Sequence, residues 1–172
     1  RLLRDRIAAG VACDDLAWRA ILPWRRVACD LFDEAPLRPL LDALDLVEVD
    51  VSEAEPRSGA VQAALLAGWM VSRLGRKPGS AAVRRVPGAK GERDMAGILA
   101  VRLASREGRL EVQLADGGRA FRIEHRTRES CILPRRWPFR AEDDAGLLGS
   151  ALERVTDQRV LSGAVEAALS LA

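Results

Sequence analysis

The sequence predicts an α+β domain in which a mostly antiparallel mixed sheet is covered by helices, and three observations carry that prediction. Apolar residues recur at helical spacing toward both ends of the chain. Between them lie four short runs, at 46–51 and within 97–126, that are rich in alternating apolar and polar residues. The last three runs are separated only by turn chemistry, which calls for antiparallel hairpins rather than helical crossovers. At 172 residues the chain is expected to form one domain, able to bury about 70% of its unfolded surface.

Taken in order, Leu2, Leu3, Ile7, Ala8 and Val11 recur at helical spacing, and Gly10 weakens the end of that first helix. Asp14 and Asp15 offer N-cap oxygens before Leu16. Pro23 suits the first turn of a helix through Trp24, Val27, Ala28, Leu31 and Phe32 that stops near Asp33. Pro39 similarly opens a short helix carrying Leu40, Leu41 and Leu44, after which 46–51 alternates as a strand. The 59–74 segment is a helix apolar nearly all round, hence the most buried one, with Gly75 at its C′ position.

The 76–94 segment is rich in Arg and Lys, holds Pro78 and Pro87, and shows little apolar periodicity, so it reads as a mobile surface connection. Beyond it, strands at 98–103, 110–114 and 120–125 form a three-strand meander, with turns at Ser105-Arg106-Glu107-Gly108 and Asp116-Gly117-Gly118. Two amphipathic helices close the chain, one through Leu147, Leu148, Ala151, Leu152 and Val155, the next through Val160, Leu161, Ala164, Val165, Ala168 and Leu169.

Composition narrows the function. Positive charge comes almost wholly from Arg, with Lys only at 77 and 90, yet the acidic residues leave a net charge of +2, which does not favour nucleic acid as a partner. Cys13, Cys29 and Cys131 are odd in number and widely spaced, which suits reduced thiols and a cytoplasmic protein. The most apolar run, 60–74, is shorter than the roughly 20 residues of a membrane span, so no membrane association is expected.

Catalytic signatures are missing. No Cys-x-x-Cys, His-Glu-x-x-His, Gly-x-Ser-x-Gly or phosphate-loop pattern occurs, and no cofactor or metal site is expected. The single histidine, His125, ends a strand on the face of Phe121 and Ile123, where a half-buried or edge position accounts for it better than a general base. Asp14-Asp15, Asp33-Glu34 and Asp143-Asp144 flank helix ends, where capping explains them. The reading is a non-enzymatic binding protein.

Two clusters are candidates for binding. Arg119, Arg122, Arg126, Arg128, Arg135, Arg136 and Arg140 interleave with His125 and Trp137; of these, Arg122, Arg126, Arg135 and Arg136 are the candidate anion site, for a sugar phosphate or nucleotide. The alternative for that cluster is a solvated strand face with ion pairs to Glu124 and Glu129. The sharper motif is Asp15-Leu16-Ala17-Trp18, then Pro23-Trp24-Arg25, then Phe32-Asp33, whose two Trp are either core anchors or interface hot spots.

That run, in order and spacing, resembles the glucose-6-phosphate dehydrogenase assembly protein family, OpcA. Ala64-Leu65-Leu66-Ala67-Gly68-Trp69, Ser72-Arg73-Leu74-Gly75 and Leu147-Leu148-Gly149-Ser150 extend the resemblance over nearly the whole chain. Between the two Trp the family tends to carry polar Thr and Arg, whereas this chain has Arg19, Ala20, Ile21 and Leu22.

The resemblance implies a non-catalytic factor that binds glucose-6-phosphate dehydrogenase and favours its active oligomer. It also implies that residues 1–172 are the C-terminal half of a longer protein. The surface expected to meet the dehydrogenase includes the 23–33 helix, with Trp18, Arg19, Trp24, Arg25 and Arg26. The rival reading is the anion-binding regulatory module; nucleic-acid binding ranks behind both.

Overall fold

A computed structural model describes residues 2–53, 58–87, 97–140, 144–153 and 156–171. Helix α1 (Leu2–Ala8) stops ahead of Gly10, which turns into the left-handed region at φ +73°. A single helical turn, α2 (Leu16–Ala20), follows, with the Asp15 carboxylate accepting from the Trp18 N–H at 3.0 Å as its N-cap. Ile21 ends α2 and opens α3 (Leu22–Phe32), and Pro23 fits there because the first turn needs no N–H donor.

A 3-10 turn at Ala35–Leu37 leads into α4 (Arg38–Asp42). Strand β1 (Leu44–Ser52) starts earlier than its alternation suggests and takes Leu44 from the expected helix into the sheet. Helix α5 (Ser58–Arg73) is nearly as expected, and Gly75, at φ +62°, supplies the left-handed residue that closes it. No helix among the described residues is long and apolar enough to cross a membrane.

The 76–94 segment departs from expectation. It holds a 3-10 turn at Pro78–Ser80 and a strand, β2 (Ala81–Val86), that pairs in parallel with β1, setting Val83 beside Val49; residues 88–94 lie outside the described residues. β1, α5 and β2 therefore form a crossover unit, the connection a parallel pair requires. The expected meander is present as β3 (Ile98–Ser105), β4 (Gly108–Ala115) and β5 (Ala120–Thr127), and β6 (Cys131–Pro138) adds a further antiparallel strand. Among the described residues the sheet thus has six strands in the order β2-β1-β3-β4-β5-β6, where the sequence suggests four.

Between β4 and β5, Asp116, Gly117 and Gly118 all take positive φ, a turn that two adjacent glycines make inexpensive. The chain ends in α6 (Asp144–Glu153) and α7 (Gln158–Leu169), the two helices expected, with Val155 outside the described residues.

Register sorts the sheet into two faces. Val47, Val49, Val51, Val101, Leu103, Leu110, Val112, Leu114, Phe121 and Ile123 line one face and are buried. Trp24, Ala28, Leu31 and Met70 from α3 and α5 meet that face around a void of only about 10 Å³, so the interior is close-packed. α7 lies against α5 at Gly68, where a Cβ would come within 2.3 Å of the Ala164 carbonyl oxygen. The second face alternates Glu48, Asp50, Arg84, Arg102, Arg109, Glu111, Arg122, Glu124 and Arg126.

Candidate functional site

The Asp-Leu-Ala-Trp and Pro-Trp-Arg residues build a sharp corner between α2 and α3. Trp18 and Trp24 are only 2% and 5% exposed, so of the two roles the sequence allows them, both rings take the core one. Little of either indole reaches the surface, although Trp18 still lines a cleft there. Trp24 packs edge-on against Phe121, with ring centroids 4.7 Å apart.

Arg19, 7% exposed, also belongs to the framework. Its Nε donates to Asp14 at 3.0 Å, and Thr156 donates its hydroxyl to the same carboxylate at 2.9 Å. Although burial acts to raise the Asp14 carboxyl, the hydrogen bonds from Arg19 and Thr156 and the Arg19 charge hold it below the ordinary value of 3.8. Gln158 completes the clamp. Its Oε1 accepts from the Cys13 N–H at 3.0 Å and its Nε2 donates to the Cys13 carbonyl at 2.7 Å. The α2 start is thereby fastened to the α7 start across more than 140 residues of sequence.

A cleft of about 180 Å³ opens between these two helix starts, lined by Trp18, Arg19, Arg25 and Arg26 on one side and Thr156 and Asp157 on the other. The Arg25 guanidinium lies 3.7 Å over the Trp18 ring, and its Nη2 donates to the Trp18 carbonyl at a long 3.4 Å. Its Nε is buried with no hydrogen-bond partner. Burial lowers Arg25 from 12.5 to about 10, with Cys29 acting against it and the Arg19 and Arg26 charges adding smaller downward pressure. Among the described residues no carboxylate forms an ion pair with Arg25 or with the exposed Arg26.

Of the four arginines expected to form an anion site, Arg122, Arg126 and Arg136 share one sheet face, with Arg122 directly opposite Arg136 in the register, while Arg135 lies on the other face. Arg122 and Arg126 both pair with Glu124, in keeping with the alternative of an ion-paired strand face. Arg136, on the same face, pairs with Asp116 at 2.8 Å, while Arg135 reaches Glu34 with two bonds at 2.9 and 3.0 Å. The ladder continues across the sheet: Arg84 bridges Glu48 and Asp50, and Arg102 bridges Asp50 and Glu111. Asp50, 3% exposed, is thus a buried carboxylate held between two guanidinium groups.

His125 is more buried than expected, at 6% exposure. Burial first, then the Arg135 charge, pushes its imidazole below the ordinary 6.5, with Glu34 acting the other way. Of the paired carboxylates, Asp15 is a cap as expected, but Asp14 and Glu34 hold arginines, and Asp143 lies outside the described residues. Cys13 and Cys29 are free thiols, and partial burial with the acids Asp30 and Asp33 pushes the Cys29 thiol up, away from the reactive thiolate. No group of His, Cys, Asp or Glu among the described residues could hold a metal ion.

Sequence reasoning missed Thr156, Asp157 and Gln158 as parts of the corner, because nothing in their local pattern signals a contact that far along the chain. Residues 11–165 match a family model described as the C-terminal domain of a glucose-6-phosphate dehydrogenase subunit. No curated protein matches the chain.

Proposed function

The chain belongs to the family of C-terminal domains of glucose-6-phosphate dehydrogenase subunits, and on that basis we propose that it is a non-catalytic partner of glucose-6-phosphate dehydrogenase. In this reading it binds the enzyme in the cytoplasm and favours its active oligomer. The observation that carries the proposal is the extent of the family match, which runs over residues 11–165, from the α2 capping segment into α7.

The burial of Trp18 and Trp24 supports the same reading in a specific way. A signature made of core anchors and a capping aspartate marks a fold, and the α2–α3 corner it builds presents Arg25 and Arg26 beside α7. The proposed contact surface is therefore this corner and the polar side of α3, not the indole rings.

To activate, the protein must bind the active oligomer more tightly than the less active form, since equal affinity for both shifts nothing. Dehydrogenase activity and oligomer size, measured with and without the protein, test this. A rise in activity together with a shift toward one larger species is expected. If neither changes at saturating protein, the proposal is wrong.

A further inference from the structure

Charge in the α2–α3 corner is out of balance. Arg19 is neutralised by Asp14, but among the described residues Arg25 and Arg26 share the cleft with one carboxylate, Asp157, whose Oδ1 already accepts from the Arg159 and Val160 N–H groups at 3.0 and 3.4 Å. In the sheet, by contrast, Arg84, Arg102, Arg122, Arg126, Arg135 and Arg136 each pair with a neighbouring acid. A half-buried guanidinium without a counter-charge is costly to keep, because desolvation disfavours the charged form unless hydrogen bonds and an opposite charge compensate.

Resting on the proposed association with the dehydrogenase, we infer that this cleft is the docking site for an acidic side chain of that partner, whose carboxylate pairs with Arg25 while Arg26 stands at the exposed rim. Three features select this ligand. Trp18 lies 3.7 Å beneath the guanidinium and holds its plane before any partner arrives, so little ordering remains to be done on binding. Among the described residues Nη1 makes no hydrogen bond and Nη2 only the long one to Trp18, leaving donors for a two-pronged contact with a carboxylate. Size decides between a side chain and a metabolite. The cleft holds about 180 Å³, below the roughly 300 Å³ at which small-molecule pockets begin, so a sugar phosphate or nucleotide would not be enclosed.

Binding of the wild type, Arg25→Gln, Arg25→Lys and Arg26→Gln to glucose-6-phosphate dehydrogenase, titrated at low and high salt, tests the inference. Wild-type affinity should fall with salt, and Arg25→Gln should bind roughly 30-fold more weakly or worse, the loss typical when one partner of a buried charge pair is removed. Arg25→Lys should fall between, since it keeps the charge and loses the fork. Thermal unfolding of the variants alone separates docking from architecture: Arg25→Gln should be at least as stable as the wild type, because it removes an uncompensated charge.

If Arg25→Gln does not fold, Arg26→Gln decides, and unchanged affinity with an unchanged salt slope overturns the inference. Should the wild type not bind the dehydrogenase at all, the family-based reading fails. Should it bind and Arg25→Gln bind equally well, only the docking site fails. Stabilisation of the wild type by millimolar inorganic phosphate, lost in Arg25→Gln with dehydrogenase binding intact, would make the cleft a free-anion site and also overturn the inference.

Discussion

Trp24 sits in a row of rings, edge-on to Phe121 at 4.7 Å, which is in turn edge-on to Phe139 at 4.8 Å. That row fastens α3 to β5 and to the chain just past β6. Truncating such a ring removes its burial and leaves a cavity, so Trp24→Ala should lose about 3–5 kcal/mol of stability in urea denaturation. For a domain of this length that lowers the melting temperature by roughly 2–4 °C for each kcal/mol. Arg26→Ala, at an exposed position of the same helix, should stay within about 0.5 kcal/mol. Equal effects of the two changes would contradict the core assignment.

His125 gives a pH signature whose sign is fixed. Its imidazole is pushed below 6.5 in the folded protein, so below that pH the unfolded chain binds a proton that the folded one resists. Its contribution is therefore complete above about pH 6.5 and declines as pH falls from there toward the folded value. Unfolding free energies of wild type and His125→Gln, compared between about pH 7 and pH 5, should converge as acid is added. A gap that stays constant would show that the imidazole titrates alike in both states.

Among the elements, the contact of α5 with α7 is the most demanding. Replacing a helical glycine by alanine ordinarily gains up to about 1 kcal/mol. At Gly68 the new Cβ would meet the Ala164 carbonyl oxygen at 2.3 Å and the Ala168 nitrogen at 2.7 Å, both backbone atoms that can yield only if α7 moves. Overpacking of this kind costs about 1–3 kcal/mol, so Gly68→Ala should destabilise, against its propensity. A stabilised variant in calorimetry would show that the two helices are not so close.

The elements legible in the sequence are those whose local pattern repeats their environment. α3, α5 and α7 bury one side or nearly all sides, and β4 and β5 alternate because one face meets the core and the other the ion pairs, while β3 opens with a continuous buried apolar run. β2 and β6 are the two edges of the sheet, and their patterns are blurred for that reason. β2 is only half-buried and is flanked by Pro78 and Pro87, while Pro134 interrupts β6 and Pro138 ends it, where a missing N–H is tolerated at an edge. The site was half legible. Asp15 and the Trp-Arg run could be read as a capped corner, but the contacts of Asp14 with Thr156 and of Cys13 with Gln158 depend on the folded path of the chain.

For the molecule as a whole, a net charge of +2 conceals a high density of charge, part of which is consumed in ion pairs along the sheet. The ladder from Arg84 through Asp50, Arg102 and Glu111, with its continuation at Glu124, places opposite signs side by side on one sheet face. Such a face is well solvated and internally satisfied, which leaves little net field for a polyanion. At the α2–α3 corner, among the described residues, two arginines share a cleft with one capped carboxylate. A protein built this way is suited to a partner surface of complementary charge.

Sedimentation velocity of glucose-6-phosphate dehydrogenase, alone and with a molar excess of this protein, decides whether the two associate. A new, faster-sedimenting boundary that contains both proteins and broadens as salt is raised is the expected result. Two boundaries that keep the positions of the separate proteins at every concentration and salt would contradict it.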